Sequence, residues 1–159
     1  MEMTPTPAAG KESHAVVRLR ERHAPAVLSV ERFRGEETVI VKPQSIVEVC
    51  RFLKQESDVA FEMLTDLCGV HFLDRDYTYE VVYQLYSLKN NQRLRLKVRL
   101  AEDESVSSVT VVWPGADWLE REAFDLVGIR FEGHPDLRRI LMPEDYDEHP
   151  LRRDFPLSG

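Results

Sequence analysis

The stretch that most limits what this chain can fold into is residues 93–100, RLRLKVRL. Its period is two throughout: Leu94, Leu96, Val98 and Leu100 point one way, and Arg93, Arg95, Lys97 and Arg99 the other. Side chains alternate in this way across a β-strand, so the run predicts a strand with one packed and one wet face. The run before it, YEVVYQLYSL (79–88), places Tyr79, Val81, Tyr83 and Leu85 on one face. Lys89, Asn90 and Asn91 between the two supply a tight turn, which makes an antiparallel hairpin. A sheet packed on one face needs helices to cover it.

Residues 45–56 supply the clearest helix. Ser45 and Glu48 have capping-box spacing. Ile46, Val49, Cys50 and Leu53 recur at i, i+3, i+4 and i+7, while Glu48, Arg51, Lys54 and Gln55 take the wet side. Cys50 is thereby a core residue; a reactive thiol needs a cation beside it, and the sequence aims none there. Residues 13–23 predict another helix, with Val16, Leu19 and His23 on one face and Pro25 as its stop. VLSVERF (27–33) and TVIV (38–41) read as strands joined at Arg34-Gly35-Glu36. Residues 59–72, VAFEMLTDLCGVHF, are apolar and β-prone, with Gly69 expected at a bulge or bend. Residues 107–113 fit either a strand or one helical turn ahead of Pro114. The fold class expected is α+β: a mixed, largely antiparallel sheet packed with helices over residues 13–131.

Composition narrows the function. The 159 residues suffice for one domain, which at this size buries about 68–70% of its unfolded surface. A 43% hydrophobic and 31% charged chain is an ordinary globular one, and no run approaches the ~20 apolar residues of a membrane span. The start, MEMTPTPAAGKES, lacks a signal peptide's apolar core, and residues 1–12 are expected to be disordered. Two cysteines, Cys50 and Cys68, are too few for a four-thiolate cluster or a disulfide framework and fit a reduced, cytoplasmic protein. A net charge of −7 opposes general nucleic-acid binding. The cations at 93, 95, 97 and 99 have no stacking aromatics between them, which leaves a solvated sheet face or a docking face for an acidic partner.

The last third carries most of the chemistry-bearing residues. WLEREAFDLV predicts a helix of about ten residues, with Asp117 as N-cap, Glu120 three positions on, and both acids at the positive end of the helix dipole. Gly128 sits where a left-handed C-cap belongs, with Ile129 folding back on Phe124. Trp118, Leu119, Ala123, Phe124, Leu126 and Val127 run most of the way round, so the helix is buried on more than one side. Glu120, Arg121, Glu122 and Asp125 have the composition of an acid–base site. Capping by Glu120 and an i,i+4 pair between Arg121 and Asp125 account for them more simply.

Past Gly128, residues 129–131 predict a short strand and residues 132–135 a turn. Leu137, Ile140 and Leu141 then sit among Arg138 and Arg139. Prolines at 143, 150 and 156 rule out a long helix or a central strand. Leu151, Phe155 and Leu157 are nevertheless apolar. This predicts an extended C-terminal arm, residues 132–159, laid along another protein, with those three as anchors and the arginines as bidentate partners for carboxylates. His134, Asp136, Asp145, Asp147 and His149 are metal-ligand types, but their spacing matches no zinc or calcium motif. A stand-alone metal-dependent hydrolase using His134, Asp136, Asp145 and His149 is the alternative from another class.

WLEREAFDLVGIRFEGHPDLRRILMPEDYDEHPLRRDFPL closely resembles the signature of the 30-kDa subunit family of respiratory complex I, which in bacteria is the C subunit of the NADH–quinone oxidoreductase. That pattern has an E-R-E helix, an aromatic, Asp, an apolar pair and Gly. It continues with G-H-P-x-L-x-R-I-L, P-x-D and H-P-L-R-[KR]-D-[FY]-P-L. Val127 departs from the usual Phe or Tyr, and Glu148 stands where Gly is common. The likeness extends more weakly upstream through Asp66-Leu67, VVYQLYSLKNNQRLRLKV and WPGADW, covering residues 44–157.

The resemblance implies a structural and assembly subunit of the peripheral, quinone-reducing arm, bound at the cytoplasmic face of the inner membrane. Its partners would be the large D subunit (49-kDa type) and the B subunit. It implies no cofactor on this chain, with FMN, iron–sulfur clusters and quinone on other subunits. The equivalent subunit of a membrane-bound hydrogenase or of a ferredoxin- or deazaflavin-linked complex is the near alternative. Partner-facing residues would be Trp118, Glu120, Arg121, Glu122, Asp125, His134, Pro135, Arg138, Arg139, His149, Pro150, Leu151, Arg152, Arg153, Asp154, Phe155 and Leu157.

Overall fold

A computed structural model describes residues 6–7 and 12–154. In chain order its elements are β1 (Thr6–Pro7), α1 (His14–His23), β2 (Val27–Phe33), β3 (Glu36–Val41), α2 (Ile46–Gln55), β4 (Met63–His71), β5 (Tyr79–Ser87), β6 (Gln92–Leu100), β7 (Val106–Ser107), α3 (Ala116–Val127) and β8 (Phe131–Glu132). The expected disorder of residues 1–12 falls mostly outside the described residues; Thr6 and Pro7 pair with β2.

Six strands form one sheet in the order β1-β2-β3-β6-β5-β4. Every neighbouring pair is antiparallel except β3 and β6, which run parallel. The mixed, largely antiparallel sheet of the α+β expectation is therefore present. The β5–β6 hairpin sets its register, with Tyr79 opposite Leu100, Tyr83 opposite Leu96 and Leu85 opposite Leu94. All of these are buried. The β2–β3 hairpin turns at Arg34 and Gly35, with φ of 52° and 80°, the left-handed pair that matches the twist of the strands.

The buried residues of all three helices form one cluster with the inward faces of β3, β5 and β6. In α2, Ile46, Val49, Cys50 and Leu53 are fully buried, as the apolar stripe predicts. Its start differs from expectation. Pro43–Ser45 form a 3-10 turn, Ser45 has φ −105° and ψ 2°, and its side chain makes no cap bond. A cap needs extended backbone, and the preceding turn has already used that residue. On the outward face, Lys97 and Arg99 lie 3.5 and 3.1 Å from Glu80, and Arg95 lies 3.1 Å from Glu36. Most of the cation stripe is thus neutralised within the sheet, over a layer in which Ile40 and Val82 are buried.

Two local expectations are corrected and one open alternative is resolved. The β4 irregularity falls between Leu64 and Asp66, while Gly69 sits in the regular ladder opposite Val81. Glycine is needed there because a Cβ would stand 2.5 Å from the Ile129 Cδ1 atom. Residues 105–114 use both of their options. Val106–Ser107 pair with β8, and the amides of Val112 and Trp113 then donate to the Val109 carbonyl in a helical turn. The strand expected at 129–131 is Phe131–Glu132; Ile129 is instead buried against Gly69.

Gly69→Ala is therefore expected to destabilise the chain by about 1–3 kcal/mol through overpacking, measured by urea unfolding. Adding Ile129→Val, which removes the clashing methyl, should recover part of that loss.

Candidate functional site

The chemistry-bearing residues of the last third converge on α3, and the segment after it (residues 133–154) wraps the helix as a strap. Three groups hold it there. At the N-terminal end, the His134 side chain is fully buried with its Nε2 3.0 Å from Asp117 Oδ1 and 3.1 Å from the Asp117 carbonyl. Its Nδ1 accepts from the Asp136 amide at 2.9 Å, so Nε2 carries the proton. At the C-terminal end, Gly128 has φ 93° and its amide donates to the Phe124 carbonyl at 2.9 Å. His149 lies over that glycine and edge-on to Phe124, with its Nδ1 2.9 Å from the Asp125 carbonyl. Further on, the Leu151 amide donates to the Leu126 carbonyl at 2.7 Å. Arg152 donates to the Tyr79 hydroxyl at 3.0 Å, and the Arg153 amide to His71 Nδ1 at 2.9 Å.

Asp125 is the third group. It is fully buried, and its Oδ2 accepts from three successive amides, Ile140 at 3.2 Å, Leu141 at 2.7 Å and Met142 at 2.9 Å. Oδ1 takes the Arg139 guanidinium at 2.7 Å. Burial pushes this carboxyl up, but the amide and guanidinium donors outweigh it and hold it below the usual carboxylate range. The i,i+4 pair expected for Asp125 does not form: Arg121 donates instead to the Arg138 carbonyl and lies over Trp118. Arg139 wins because it brings a backbone loop of amides with it.

Glu120 also departs from its expected role. The helix begins at Ala116 after Gly115, an N-cap with no side-chain bond, so Asp117 lies inside the first turn. Glu120 is fully buried and reaches outward to the preceding segment, accepting from Ser108 Oγ at 2.5 Å and from the Val109 amide at 2.8 Å. Burial pushes its carboxyl up, against the pull of those donors and of His134. Two acids on one helix are thus shifted in opposite directions by donor count.

Up to Asp154 the extended segment is bonded to its own domain, at α3, β4 and β5. The metal-ligand types named above do not converge. His134 and His149 are held at opposite ends of α3, and among the described residues no three His, Cys, Asp or Glu are placed to share a metal ion. Of the expected partner-facing residues, Glu120, Asp125, His134, Arg139, His149 and Arg152 are committed inward. Asp154 pairs with Arg152, and Arg138 with Asp136. Trp118 and Leu151 are more than half exposed, at 55% and 60%. Pro135, Arg138 and Arg153 are also exposed, and Arg121, Glu122 and Pro150 partly so. Phe155 and Leu157 lie outside the described residues. The residues missed in the sequence are His71, Tyr79 and Ser108; His71 shares the inward parity of β4 with Leu67 and Gly69, which is the signal that marks it.

The chain has relatives among known proteins. The family model described as respiratory-chain NADH dehydrogenase, 30 Kd subunit, matches residues 39–159. The C subunit of the NADH-quinone oxidoreductase of Geotalea uraniireducens is 49% identical over 150 residues, covering 94% of this chain and 90% of that one. The protein of the same name from Roseiflexus sp. is 50% identical over 143 residues, covering 89% and 82%. Among solved structures, a chain of the membrane-bound sulfane sulfur reductase, an archaeal respiratory membrane complex, shares the fold with a TM-score of 0.76 at 22% identity, over 90% of this chain and 84% of that one.

Asp125→Asn keeps the shape but turns an NH2 toward donors. It is expected to cost about 3–5 kcal/mol, the scale for breaking a buried charge pair, and to expose residues 138–151 to protease. With its carboxyl lowered, Asp125 contributes stability above the usual carboxylate pKa and loses it as pH falls through the depressed value. Acid should therefore loosen residues 138–151 first, read by hydrogen exchange. Glu120 has the opposite sign: with its carboxyl raised, its contribution is present in acid and lost as pH rises through the raised value. Glu120→Gln keeps an oxygen to accept from the Val109 amide and an NH2 that can donate to the Ser108 hydroxyl oxygen, so it should be nearly neutral, whereas Glu120→Ala orphans two donors and should cost about 1–3 kcal/mol.

Proposed function

Because the chain belongs to the 30-kDa subunit family of the respiratory-chain NADH dehydrogenase, we propose that it is a non-catalytic assembly subunit in the peripheral arm of an NADH–quinone oxidoreductase. The single observation that carries this is the 49% identity to a C-type subunit of that enzyme across 94% of this chain and 90% of the relative. The likeness is therefore spread over nearly the full length of both chains rather than confined to one motif.

The site supports a structural role within that complex. Glu120, Asp125, His134 and His149 are the groups that acid–base or metal chemistry would use, and each is bonded to this chain's own backbone or side chains. Two opposed shifts on Glu120 and Asp125 would ordinarily mark an acid and a base. Here both carboxylates are fully buried and face backbone donors rather than a cleft. Electron transfer and quinone reduction fall to other subunits, which hold the flavin, clusters and quinone. Attachment is through neighbouring subunits, at the cytoplasmic face of the inner membrane; no described helix is long and apolar enough to cross a membrane.

The strap shapes the docking surface. Its inner side is consumed in holding α3, and what it leaves outward is an exposed Trp118 stacked by Arg121, together with Leu151. Tryptophan and arginine are the types that dominate binding energy at interfaces. The partners are the large D-type subunit and the B-type subunit.

Affinity purification of the tagged chain from its native host tests this. The expected eluate contains the D- and B-type subunits and a membrane arm, with NADH–quinone activity. A chain recovered alone, with stoichiometric metal and turnover of its own, would overturn it. Trp118→Ala should reduce the recovered partners while leaving the unfolding free energy of the chain within about 0.5 kcal/mol of the original.

A further inference from the structure

Strand β4 ends the sheet, with β5 on one side and, among the described residues, no strand on the other. The Phe72 amide, just past its end, donates to the Thr78 carbonyl at 2.8 Å. Along an antiparallel strand the backbone groups of every second residue face the partner. Those of Cys68 and Val70 therefore face β5, and those of Leu67, Gly69 and His71 point to the open side. Among the described residues no backbone bond reaches that side. An open edge of this kind is a template for a further strand.

A groove of about 250 Å³ lies beside this edge. Leu67 and Gly69 form one bank, Ala123, Leu126 and Val127 of α3 the other, and Leu151 of the strap completes the lining. The rim is acidic: Asp66 and Glu122 stand on it, and no cation does. The two cations that Cys68 feels across the sheet, Arg95 and Lys97, are held by Glu36 and Glu80. Arg121, next to Glu122, lies over Trp118. The groove continues the outward side of α3, because Trp118, Glu122 and Leu126 recur at every fourth residue of the helix.

We infer that the open edge of β4 takes an added strand from a neighbouring subunit, in which one apolar side chain enters the groove and a Lys or Arg next to it in sequence reaches Asp66. This rests on the proposed place of the chain in a larger assembly. Side chains alternate across a strand, so one residue of the added strand meets Leu126 and Leu151, and the next meets Asp66, on the outer face in register with Gln84 and Arg95. The chain's own remaining residues do not fit. Those after Asp154, FPLSG, carry no cation, and Thr6–Pro7 hold the N-terminal stretch against β2, at the opposite edge of the sheet. A second copy does not fit either. Its β4, MLTDLCGVH, brings Asp66 and no Lys or Arg, so pairing edge to edge sets like charges together.

The test puts a photo-crosslinking amino acid in place of Cys68, which is exposed and lines the groove, in the tagged full chain expressed in its native host. A second variant carries it in place of Glu122, on the opposite bank. Both are expected to give an adduct with the same stretch of one neighbouring subunit, in which a Lys or Arg adjoins an apolar residue. Asp66→Lys should lower the adduct yield at least tenfold, and reversing the partner's cation to Glu should restore it. Within the assembled complex, the amides of Leu67 and Gly69 should exchange with solvent as slowly as those of Cys68 and Val70, which β5 protects. Exchange at Leu67 and Gly69 at least tenfold faster than at those two overturns the added strand. So does a complex that co-purifies normally yet gives no adduct from either position, or a yield that Asp66→Lys does not change. An adduct with a stretch lacking Lys and Arg, with this chain's own termini or with a second copy also overturns it. Each of these outcomes leaves the assembly reading standing. Failure of the unmodified tagged chain to recover any other subunit overturns both readings.

Discussion

A carboxylate with no exposed surface has to be surrounded by donors, and Asp125 obtains four of them from one short loop. That requirement organises the C-terminal third. The amides of Ile140, Leu141 and Met142 all point at one oxygen only if the chain after Arg139 curls tightly around the end of α3. Once it does, the following residues lie within reach of Leu126, Tyr79 and His71, and the strap closes over the helix. A segment that has too few apolar residues to make a core of its own is thus ordered by polar bonds, at a site dry enough for them to count.

Glu120 does the same for the opposite end. By accepting from Ser108 and Val109 it fixes the turn that leads into the helix, and that turn buries Val109, Val112 and Trp113. The two acids therefore tie α3 to the segments before and after it in sequence. A helix secured on both flanks is a rigid platform, which suits the docking role proposed for it. Interface residues mounted on an ordered surface lose less entropy on binding than those on a free arm. The outward Trp118 and Leu151 are presented in that way.

Much of the fold was legible because period-two and period-3.6 patterns survive in single stretches: the β5–β6 hairpin, the stripe of α2 and the left-handed Gly128 all read correctly from local residues. The family signature was legible for the same reason, being contiguous. The errors came where a partner distant in sequence outbid a near one. Arg121 is four residues from Asp125, but Arg139 brings three amides with it. Ser45 and Glu48 have the right spacing, yet a proline-started turn takes the cap. Gly69 reads as a bend, and only the arrival of Ile129 explains it. The strap's bonds to its own helix were the least legible. Prolines and charges correctly excluded helix and central strand, but composition cannot say whose surface an extended segment lies on. The parallel seam was invisible for another reason: no residue pattern announces that β3 and β6 are neighbours.

That parallel seam has a kinetic side. β3 can pair with β2 as soon as the hairpin leaves the ribosome, since the contact is local. Its other edge must wait until α2, β4, β5 and the start of β6 have all been made. Until then the apolar edge of β3, with Val39, Ile40 and Val41, stays open. Contacts between parts of the chain far apart in sequence are the slow ones, and an unpaired apolar edge is the usual starting point for mispairing. The seam is therefore the step at which the nascent subunit is most exposed, and the two halves of its sheet become one molecule only when it closes.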